Sequence, residues 1–194
     1  MKSTGNTIVI TGGGSGIGRA LAHRFADQGN TVIVTGRTQG SLDEAIAGRE
    51  TMIAYALDMA NADAIRAFAI EVVERHPALN IVINNAGIMR FEDLTQSRHL
   101  AEAEATVVTN LLGPIRLTDA LTTHLTNAPD AAIINVTSVL AFVPLVSTPT
   151  YNATKAALHS YTLSLRRQLE GKVEVIELAA PAVQTDLTPG QGTR

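Results

Sequence analysis

The sequence predicts a doubly wound α/β fold, in which helices cover both faces of a parallel sheet. Short β-branched apolar runs alternate along the chain with segments whose apolar residues recur at helical spacing. Such alternation implies parallel strands joined by right-handed crossovers. A glycine-rich stretch, residues 12–18, directly follows the first apolar run. These observations together favour a nucleotide-binding sheet.

The elements follow one another without a repeat or a linker, so residues 1–194 are expected to form a single domain. Strands are predicted at residues 7–11, 31–35, 51–57, 80–84, 131–137 and 172–178. A first helix is indicated by Ile17, Leu21 and Phe25, which recur every four positions, and another by Ile65 and Phe68. Longer helices are predicted at about 100–125 and at 151–170.

The composition is that of a globular protein, with 45% apolar and 17% charged residues among 194 and a net charge of −3. No basic field favours nucleic acid or an anionic membrane. Polar residues and a proline break the longest apolar stretch, around residues 131–147, so no membrane span is expected. The absence of cysteine excludes disulfides, thiolate metal sites and a cysteine nucleophile, and we predict no metal site. The first strand follows Met1 closely with no signal peptide, so a cytoplasmic location is expected.

The glycine-rich stretch is predicted to hold a dinucleotide. Gly12, Gly16 and Gly18 follow Thr11 with the spacing G-x-x-x-G-x-G. Glycines let the backbone turn tightly and approach a pyrophosphate, which rests on the N-terminus of the next helix. The predicted phosphate-binding residues are Gly12, Ser15, Gly16, Ile17 and Gly18. A glycine-rich turn without a ligand is the simpler alternative.

The ends of the next strands supply further candidates for cofactor binding. Arg37 follows the second strand where an acidic residue would favour NAD, and a guanidinium there would bind a 2′-phosphate, so NADP is favoured over NAD. The alternative for Arg37 is a solvated surface residue. Asp58 follows the third strand and would accept from the adenine amino group, unless it caps the next helix. Small residues after the fourth strand would admit the ribose, and the candidates there are Asn84, Ala86 and Gly87.

A second constellation surrounds Tyr151 and Lys155, which lie four apart and therefore on one face of a helix. Thr148 and a proline ahead of them fit an N-cap and a first turn. A neighbouring cation lowers the pKa of a phenol, which would then exchange a proton with a substrate oxygen. Ser138, at a strand end, would hydrogen-bond the same oxygen. A surface tyrosine and lysine on an ordinary helix remain the alternative.

Pro114 interrupts the long helix at 100–125 because proline lacks an N–H. The carbonyl of Asn110, four residues earlier, loses its helical partner. We expect a kink there, with a carbonyl that would hold a water and pass protons from the active site. A solvent-filled kink without that role is the alternative.

As a set, these residues resemble the short-chain dehydrogenase/reductase family over nearly the whole chain, in the family's order and separations. The residues that carry the resemblance are Thr11, Gly12, Gly16, Gly18, Asp58, residues 84–87, Asn110, Ser138, Tyr151 and Lys155. Residues 131–142, 153–169 and 173–178 are most similar to the DltE-type oxidoreductases.

The resemblance implies a Rossmann fold and a catalytic tetrad of Asn110, Ser138, Tyr151 and Lys155. Tyr151 would be the general acid/base and Ser138 would orient the carbonyl. Lys155 would bind the nicotinamide ribose and lower the pKa of Tyr151, while Asn110 would anchor a relay water. Members are mostly dimers or tetramers, so a homodimer or homotetramer through the helices at 100–125 and 152–170 is expected.

Two departures from the family pattern lie near the end of the chain. Ala180-Pro181 stands where the family has Pro-Gly, although Val183 and Thr185, which would hold the nicotinamide amide, are present. Nine residues follow Thr185. We therefore expect the substrate lid and the last edge strand of the family to be missing, or the sequence to be cut short.

The leading hypothesis is an NADP(H)-dependent oxidoreductase that transfers a hydride between nicotinamide and a carbonyl or secondary alcohol. A mostly apolar wall, residues 139–146 with Ile88, Met89 and Phe91, favours an apolar small-molecule substrate, and Arg90 would meet an acidic group or be solvated. The second hypothesis is a dinucleotide-binding sensor or scaffold without turnover. A Rossmann-like methyltransferase is disfavoured because the Tyr-x-x-x-Lys pair would have no purpose there.

Overall fold

A parallel sheet lies at the centre of the part of the chain that the structure, a computed structural model, describes, residues 1–181. Its strands are β1 (Thr7–Thr11), β2 (Thr31–Gly36), β3 (Met52–Ala56), β4 (Leu79–Asn84), β5 (Ala132–Ser138) and β6 (Glu174–Ala180). They pair in parallel in the order β3-β2-β1-β4-β5-β6. The chain starts in the middle of the sheet and winds outward in both directions, so the predicted doubly wound Rossmann fold is confirmed.

Helices cover both faces of this sheet. They are α1 (Gly16–Asp27), α2 (Gln39–Ile46), α3 (Ala62–Arg75), α4 (Ala101–Val107), α5 (Gly113–Leu125) and α6 (Pro149–Gln168). Helices α1 and α2 bury one apolar face of the sheet, and α3, α5 and α6 bury the other. Within residues 1–181, no helix combines the length and apolarity needed to cross a membrane.

The two cores follow from the alternation of side chains along each strand. In β1, Ile8 and Ile10 belong to the core under α1 and α2, whereas Val9 belongs to the core under α3, α5 and α6. All three are fully buried. Strands that are apolar at every position are typical of a parallel sheet covered on both sides.

A row of polar side chains crosses the core under α3, α5 and α6. Asn84 on β4 is the register partner of Asn135 on β5, and its Nδ2 donates to the Asn135 Oδ1 at 2.8 Å. The row continues at both ends, because Asn84 Nδ2 lies 3.2 Å from Thr118 Oγ1 of α5 and Asn135 Nδ2 donates to Thr162 Oγ1 of α6 at 2.8 Å. These hydrogen bonds tie two strands and two helices together near the carboxyl ends of β4 and β5.

Two elements differ from the sequence-based expectation. Helix α2 was not predicted, since Gly40 and the few apolar residues of this segment give a weak helical pattern. Strand β6 begins at Glu174 rather than at residue 172, because the chain first turns at Gly171, whose φ is +77°.

The long helix is interrupted as expected, but by a change of winding. A π-helical turn, Val108–Leu112, joins α4 to α5, and the N–H of Gly113 donates to the carbonyl of Val108. Pro114 stands in the first turn of α5, where its missing N–H is tolerated. Asn110 therefore lies in a π turn, a local geometry that frequently marks functional sites.

Candidate functional site

A cavity of about 530 Å³ opens at the carboxyl ends of the strands, the edge where ligands bind in open α/β sheets. Most of the predicted site residues line it. These are Gly12, Ser15, Gly16, Ile17, Gly18, Arg37, Asp58, Ala86, Gly87, Ser138, Tyr151 and Lys155. Asn84 and Asn110 lie behind its wall, and Val183 and Thr185 lie outside the described residues.

The glycine-rich loop forms one end of the cavity by close backbone packing. Gly12 has a φ of +67°, and a Cβ built on Gly18 would lie 2.3 Å from the carbonyl oxygen of Gly12. The same Cβ would lie 2.5 Å from Nδ2 of Asn85, which donates to the carbonyl of Thr11 at 2.9 Å. No side chain larger than hydrogen fits at Gly18 without moving the loop. The first residues of α1 thus line the cavity, where helix N–H groups suit a phosphate.

Asn84 and Asn85 have separate positions. The Asn84 side chain is buried and belongs to the polar row in the core, where it ties β4 to β5. Asn85 lines the cavity instead, and its backbone N–H and that of Ala86 both donate to Thr11 Oγ1 at 3.0 Å. The sequence prediction omitted Asn85, because an adjacent pair of asparagines does not show which side chain faces the cavity.

Arg37 lies exposed at the rim of the cavity, where two hydroxyl residues accompany it. Thr38 and Ser41, at the start of α2, line the same end, and a Cβ on Gly14 would lie 3.3 Å from the Ser41 Cβ. Sequence reasoning missed both hydroxyls because it missed α2. A guanidinium and two hydroxyls form a donor set suited to a phosphate.

Asp58 lines the cavity and does not cap the following helix. Its Oδ1 accepts from the backbone N–H of Ala60 at 2.9 Å, within a turn. The N-cap of α3 is Asn61, whose side chain accepts from the backbone of Asp63 and Ala64. The capping alternative for Asp58 is therefore wrong, and its carboxylate faces the cavity from an exposed position.

Ser138, Tyr151 and Lys155 converge at the other end of the cavity. Tyr151 is 7% exposed and Lys155 is 4% exposed. The ammonium of Lys155 donates to the carbonyl of Val136 at 2.8 Å and lies 5.6 Å from the centre of the Tyr151 ring. Ser138 Oγ accepts from the N–H of Leu140 at 3.1 Å, which fixes the hydroxyl at the end of β5.

Burial changes the acidity of both titrating side chains. It raises the pKa of Tyr151 because the phenolate is poorly solvated, and the hydrogen bond with the Ser138 side chain offsets this only in part. Burial likewise lowers the pKa of Lys155 to about 8. The expectation that Lys155 depresses the pKa of Tyr151 is not met in the protein alone, since desolvation is the larger effect on the phenol.

Asn110 stands directly behind the reaction end of the cavity. It is fully buried in the π turn, and its side chain makes two hydrogen bonds with the backbone of Ile88, accepting from N–H at 2.8 Å and donating to C=O at 2.7 Å. A Cβ built on Gly87 would lie 3.3 Å from Asn110 Oδ1 and 3.8 Å from Lys155 Nζ. Asn110 therefore holds the chain after β4 close to Lys155.

The predicted apolar wall is only partly formed. Ile88, Met89, Val139, Leu140 and Leu145 line the cavity. Phe91, Phe142, Val143 and Val146 are instead exposed, by 55% or more of their surface. Arg90 pairs loosely with Glu102, at 3.5 Å, and donates to the carbonyl of Met89. The solvated alternative therefore fits Arg90 better than a contact with substrate.

Comparison with known proteins gives a consistent result. The family model described as short chain dehydrogenase matches residues 6–193. An uncharacterised oxidoreductase, DltE of Bacillus subtilis, is 42% identical over 189 residues, which cover 96% of this chain and 75% of that protein. Sulfoacetaldehyde reductase 2 of Chromohalobacter salexigens is 32% identical over 186 residues, 93% of this chain and 74% of that protein.

Solved structures agree with these matches. The 3-ketoacyl-(acyl-carrier-protein) reductase of Brucella melitensis, crystallised with NADH, superposes with a TM-score of 0.90 at 28% identity. The superposition covers 96% of this chain and 79% of the Brucella chain. The predicted resemblance to DltE-type oxidoreductases is confirmed.

Proposed function

Because the chain belongs to the short chain dehydrogenase family of oxidoreductases, we propose that it transfers a hydride between NADP(H) and a carbonyl or secondary alcohol. The observation that carries this proposal is the continuous cavity that joins the glycine-rich loop to Ser138, Tyr151 and Lys155. The nicotinamide ring, when bound, supplies or accepts the hydride. The comparisons give no support to a non-catalytic sensor.

The residues of the loop fit a dinucleotide, because a Cβ at Gly18 would collide with the backbone where the pyrophosphate should lie close. In this proposal Gly12, Ser15, Gly16, Ile17 and Gly18 hold the phosphates. Asp58 accepts from adenine, while Ala86 and Gly87 leave room for the ribose and Lys155 donates to it. Val183 and Thr185 remain predictions for the nicotinamide amide.

A preference for NADP over NAD is supported by the donors at the end of β2. The Arg37 guanidinium and the Thr38 and Ser41 hydroxyls lie at the same end of the cavity. A 2′-phosphate would accept charge-assisted bonds there. With NADH, this donor set would meet only a ribose hydroxyl.

In the reaction we assign the proton to the Tyr151 hydroxyl. Its raised pKa keeps the phenol protonated at neutral pH, so Tyr151 is prepared to donate to a carbonyl oxygen that gains a hydride. Ser138 Oγ orients the same oxygen. Lys155, with its pKa of about 8, is mostly charged at neutral pH and favours the phenolate left behind.

Asn110 is proposed to support this proton transfer from behind the cavity, by fixing the π turn next to Lys155 and holding a relay water. The wall formed by Ile88, Met89 and Leu145 favours an apolar carbonyl compound.

We also propose a single domain and a homodimer or homotetramer through the helices at 100–125 and 152–170. Size-exclusion chromatography with light scattering tests that assembly. The cytoplasmic location stays a prediction.

The proposed function is tested by fluorescence titration with NADPH and, separately, with NADH, followed by a screen of aldehydes and ketones. We expect tighter binding of NADPH and oxidation of NADPH by at least one apolar carbonyl compound. No binding of either dinucleotide by the folded chain would contradict the proposal.

A further inference from the structure

A buried carboxylate outside the cavity joins the loop after β4 to the helix that carries Tyr151. Only 4% of the Glu92 side chain is exposed. Its Oε2 accepts from the backbone N–H of Thr150 at 2.8 Å, and its Oε1 accepts from the Thr150 hydroxyl at 2.8 Å. The backbone N–H of Glu92 donates to the carbonyl of Ser147 at 2.9 Å. Both ends of this residue are therefore fixed to the entry of α6.

This contact replaces the helix cap that the sequence suggested. Thr148 occupies the N-cap position of α6, but its hydroxyl lies near the carbonyl of Leu145 and Oδ1 of Asn152 and caps no helical N–H. Glu92 performs the capping from 58 residues away in the chain. A carboxylate suits a helix N-terminus, because it accepts from the first-turn N–H groups and complements the helix dipole.

Arg98 completes the arrangement, which we call the Glu92 clasp, meaning Glu92, Arg98 and Thr150. The Arg98 guanidinium lies 2.7 Å from Glu92 Oε1. Burial acts to raise the pKa of Glu92, but the hydrogen bonds from Thr150 and the charge of Arg98 outweigh it and leave that pKa lowered. The carboxylate therefore stays charged at neutral pH, as a strong acceptor for the helix N–H.

The clasp lies next to the reaction end of the cavity. Thr150 directly precedes Tyr151, and the loop that carries Glu92 begins with Asn85, Ala86 and Gly87, which line the cavity. Residues 85–100 between β4 and α4 contain no helix or strand, so their position depends on such contacts. Movement of the first turn of α6 would move the Tyr151 hydroxyl relative to Ser138, and a displacement of about 1 Å in a reacting group can cost ~100-fold in rate.

We propose that Glu92 is a positioning residue, which fixes the first turn of α6 and thereby sets the place of the Tyr151 hydroxyl beside Ser138. Glu92 acts through Thr150 and touches neither cofactor nor substrate. The inference rests on the proposed function only in the role it gives to Tyr151, and the placement of that side chain is measured without turnover.

The test compares Glu92→Gln with Asp93→Asn in the full chain. Replacing the Glu92 carboxylate by an amide keeps the shape of the side chain but presents an uncharged group to Arg98 and to the Thr150 hydroxyl. Asp93 is an exposed carboxylate on the same loop that accepts only from Thr95 among the described residues, so its variant is the matched control. Thr150→Val removes one donor of the clasp, and Thr150→Ser retains it.

The first readout is the ¹³C resonance of the Tyr151 ring carbon that bears the hydroxyl, in protein labelled at tyrosine and assigned with Tyr151→Phe. We expect Glu92→Gln and Thr150→Val to shift this resonance, and Asp93→Asn and Thr150→Ser to leave it in place. The second readout is kinetic. We expect kcat to fall ~10–100-fold in Glu92→Gln, with KM for NADPH changed less than about twofold, because misplacement affects the reacting group alone.

An unshifted Tyr151 resonance in folded Glu92→Gln protein would overturn the inference, whatever the activity. If Glu92→Gln does not fold, the same measurement is made on Thr150→Val, and an unshifted Tyr151 resonance in that variant would overturn the inference. Loss of NADPH affinity in parallel with kcat would also overturn it, since a general disturbance would then explain the effect. If Tyr151→Phe kept full turnover, the proposed function would fail, while the resonance would still show whether the clasp places Tyr151.

Discussion

The two ends of the cavity are built in different ways. At the cofactor end, the glycine-rich loop offers backbone groups and missing side chains within one short segment, and the side chains of Arg37, Thr38 and Ser41 lie beside it. The reaction end is formed by buried polar side chains from β5, α6 and the π turn. The first end therefore tolerates no added volume, whereas the second tolerates no change of charge or hydrogen bonding.

The largest effect is expected at the reaction end, for Tyr151→Phe. Loss of the hydroxyl removes the proton donor, and general acid catalysis contributes ~10²–10⁴-fold to a rate. We expect kcat to fall by about that factor while NADPH affinity, measured by fluorescence, changes less than about twofold. Tyr161→Phe is the matched control, because Tyr161 is also partly buried on α6 but lies outside the cavity lining. An equal loss in both variants would contradict the assignment.

A steric change should damage the cofactor end instead. The Cβ of Gly18→Ala would lie 2.3 Å from the Gly12 carbonyl. Overpacking of this kind costs about 1–3 kcal/mol, and we expect NADPH to bind ~10–100-fold more weakly. Isothermal titration calorimetry provides the measurement. Gly40→Ala is the control, because a Cβ there meets nothing within 4 Å; if it were equally damaging, volume would not be the cause.

A charge change at the cofactor end should alter selectivity rather than binding as such. In Arg37→Gln the 2′-phosphate loses an exposed, solvent-screened partner, so we expect roughly a tenfold loss of preference for NADPH over NADH. Affinity for NADH should stay within about twofold. Arg66→Gln, at an exposed arginine on α3, serves as the control. A lower affinity for both dinucleotides would indicate a structural role for Arg37.

A further effect concerns stability rather than function, through its dependence on pH. Burial lowers the pKa of Lys155 from 10.5 in the unfolded chain to about 8 in the folded protein. Between these values the unfolded chain binds the extra proton, so the free energy of unfolding should rise with pH from about 8 to about 10.5.

The size of this rise is on the order of 3 kcal/mol at 1.36 kcal/mol per pKa unit. Urea unfolding at several pH values measures it, and in Lys155→Met the rise should be absent from that window. A rise of the same size in the variant would show that another group titrates there.

The same division explains how much could be predicted from the sequence. Strands and the glycine-rich loop depend on local spacing, so the sequence predicts the fold and the segment, with Gly12, Gly16 and Gly18, that lines one end of the cavity. Ser138, Tyr151 and Lys155 were grouped by chemistry and by a resemblance. Neither source showed that burial would raise the pKa of Tyr151, because desolvation depends on packing from the whole chain.

Residues whose partners are far away in the chain were not predicted. Glu92 and Thr150 are 58 positions apart, and no periodicity relates them. The local signal at Thr148 and Pro149 even suggested another cap. Ser41 was missed with α2, whose helix depends on packing of Leu42 and Ala45 in the core more than on helical propensity.

The polar row that crosses the sheet has a consequence for how the chain finds its structure. A slip of β5 by two residues against β4 would keep every apolar side chain on its own face. It would, however, separate Asn135 from Asn84 and leave buried amides without partners, at about 1–3 kcal/mol each. Burial of the apolar side chains is compatible with several registers of β5 against β4, and the hydrogen bond between Asn84 and Asn135 selects one of them. The row thus fixes the register of β5 against β4, and with it the position of Ser138 at the end of β5.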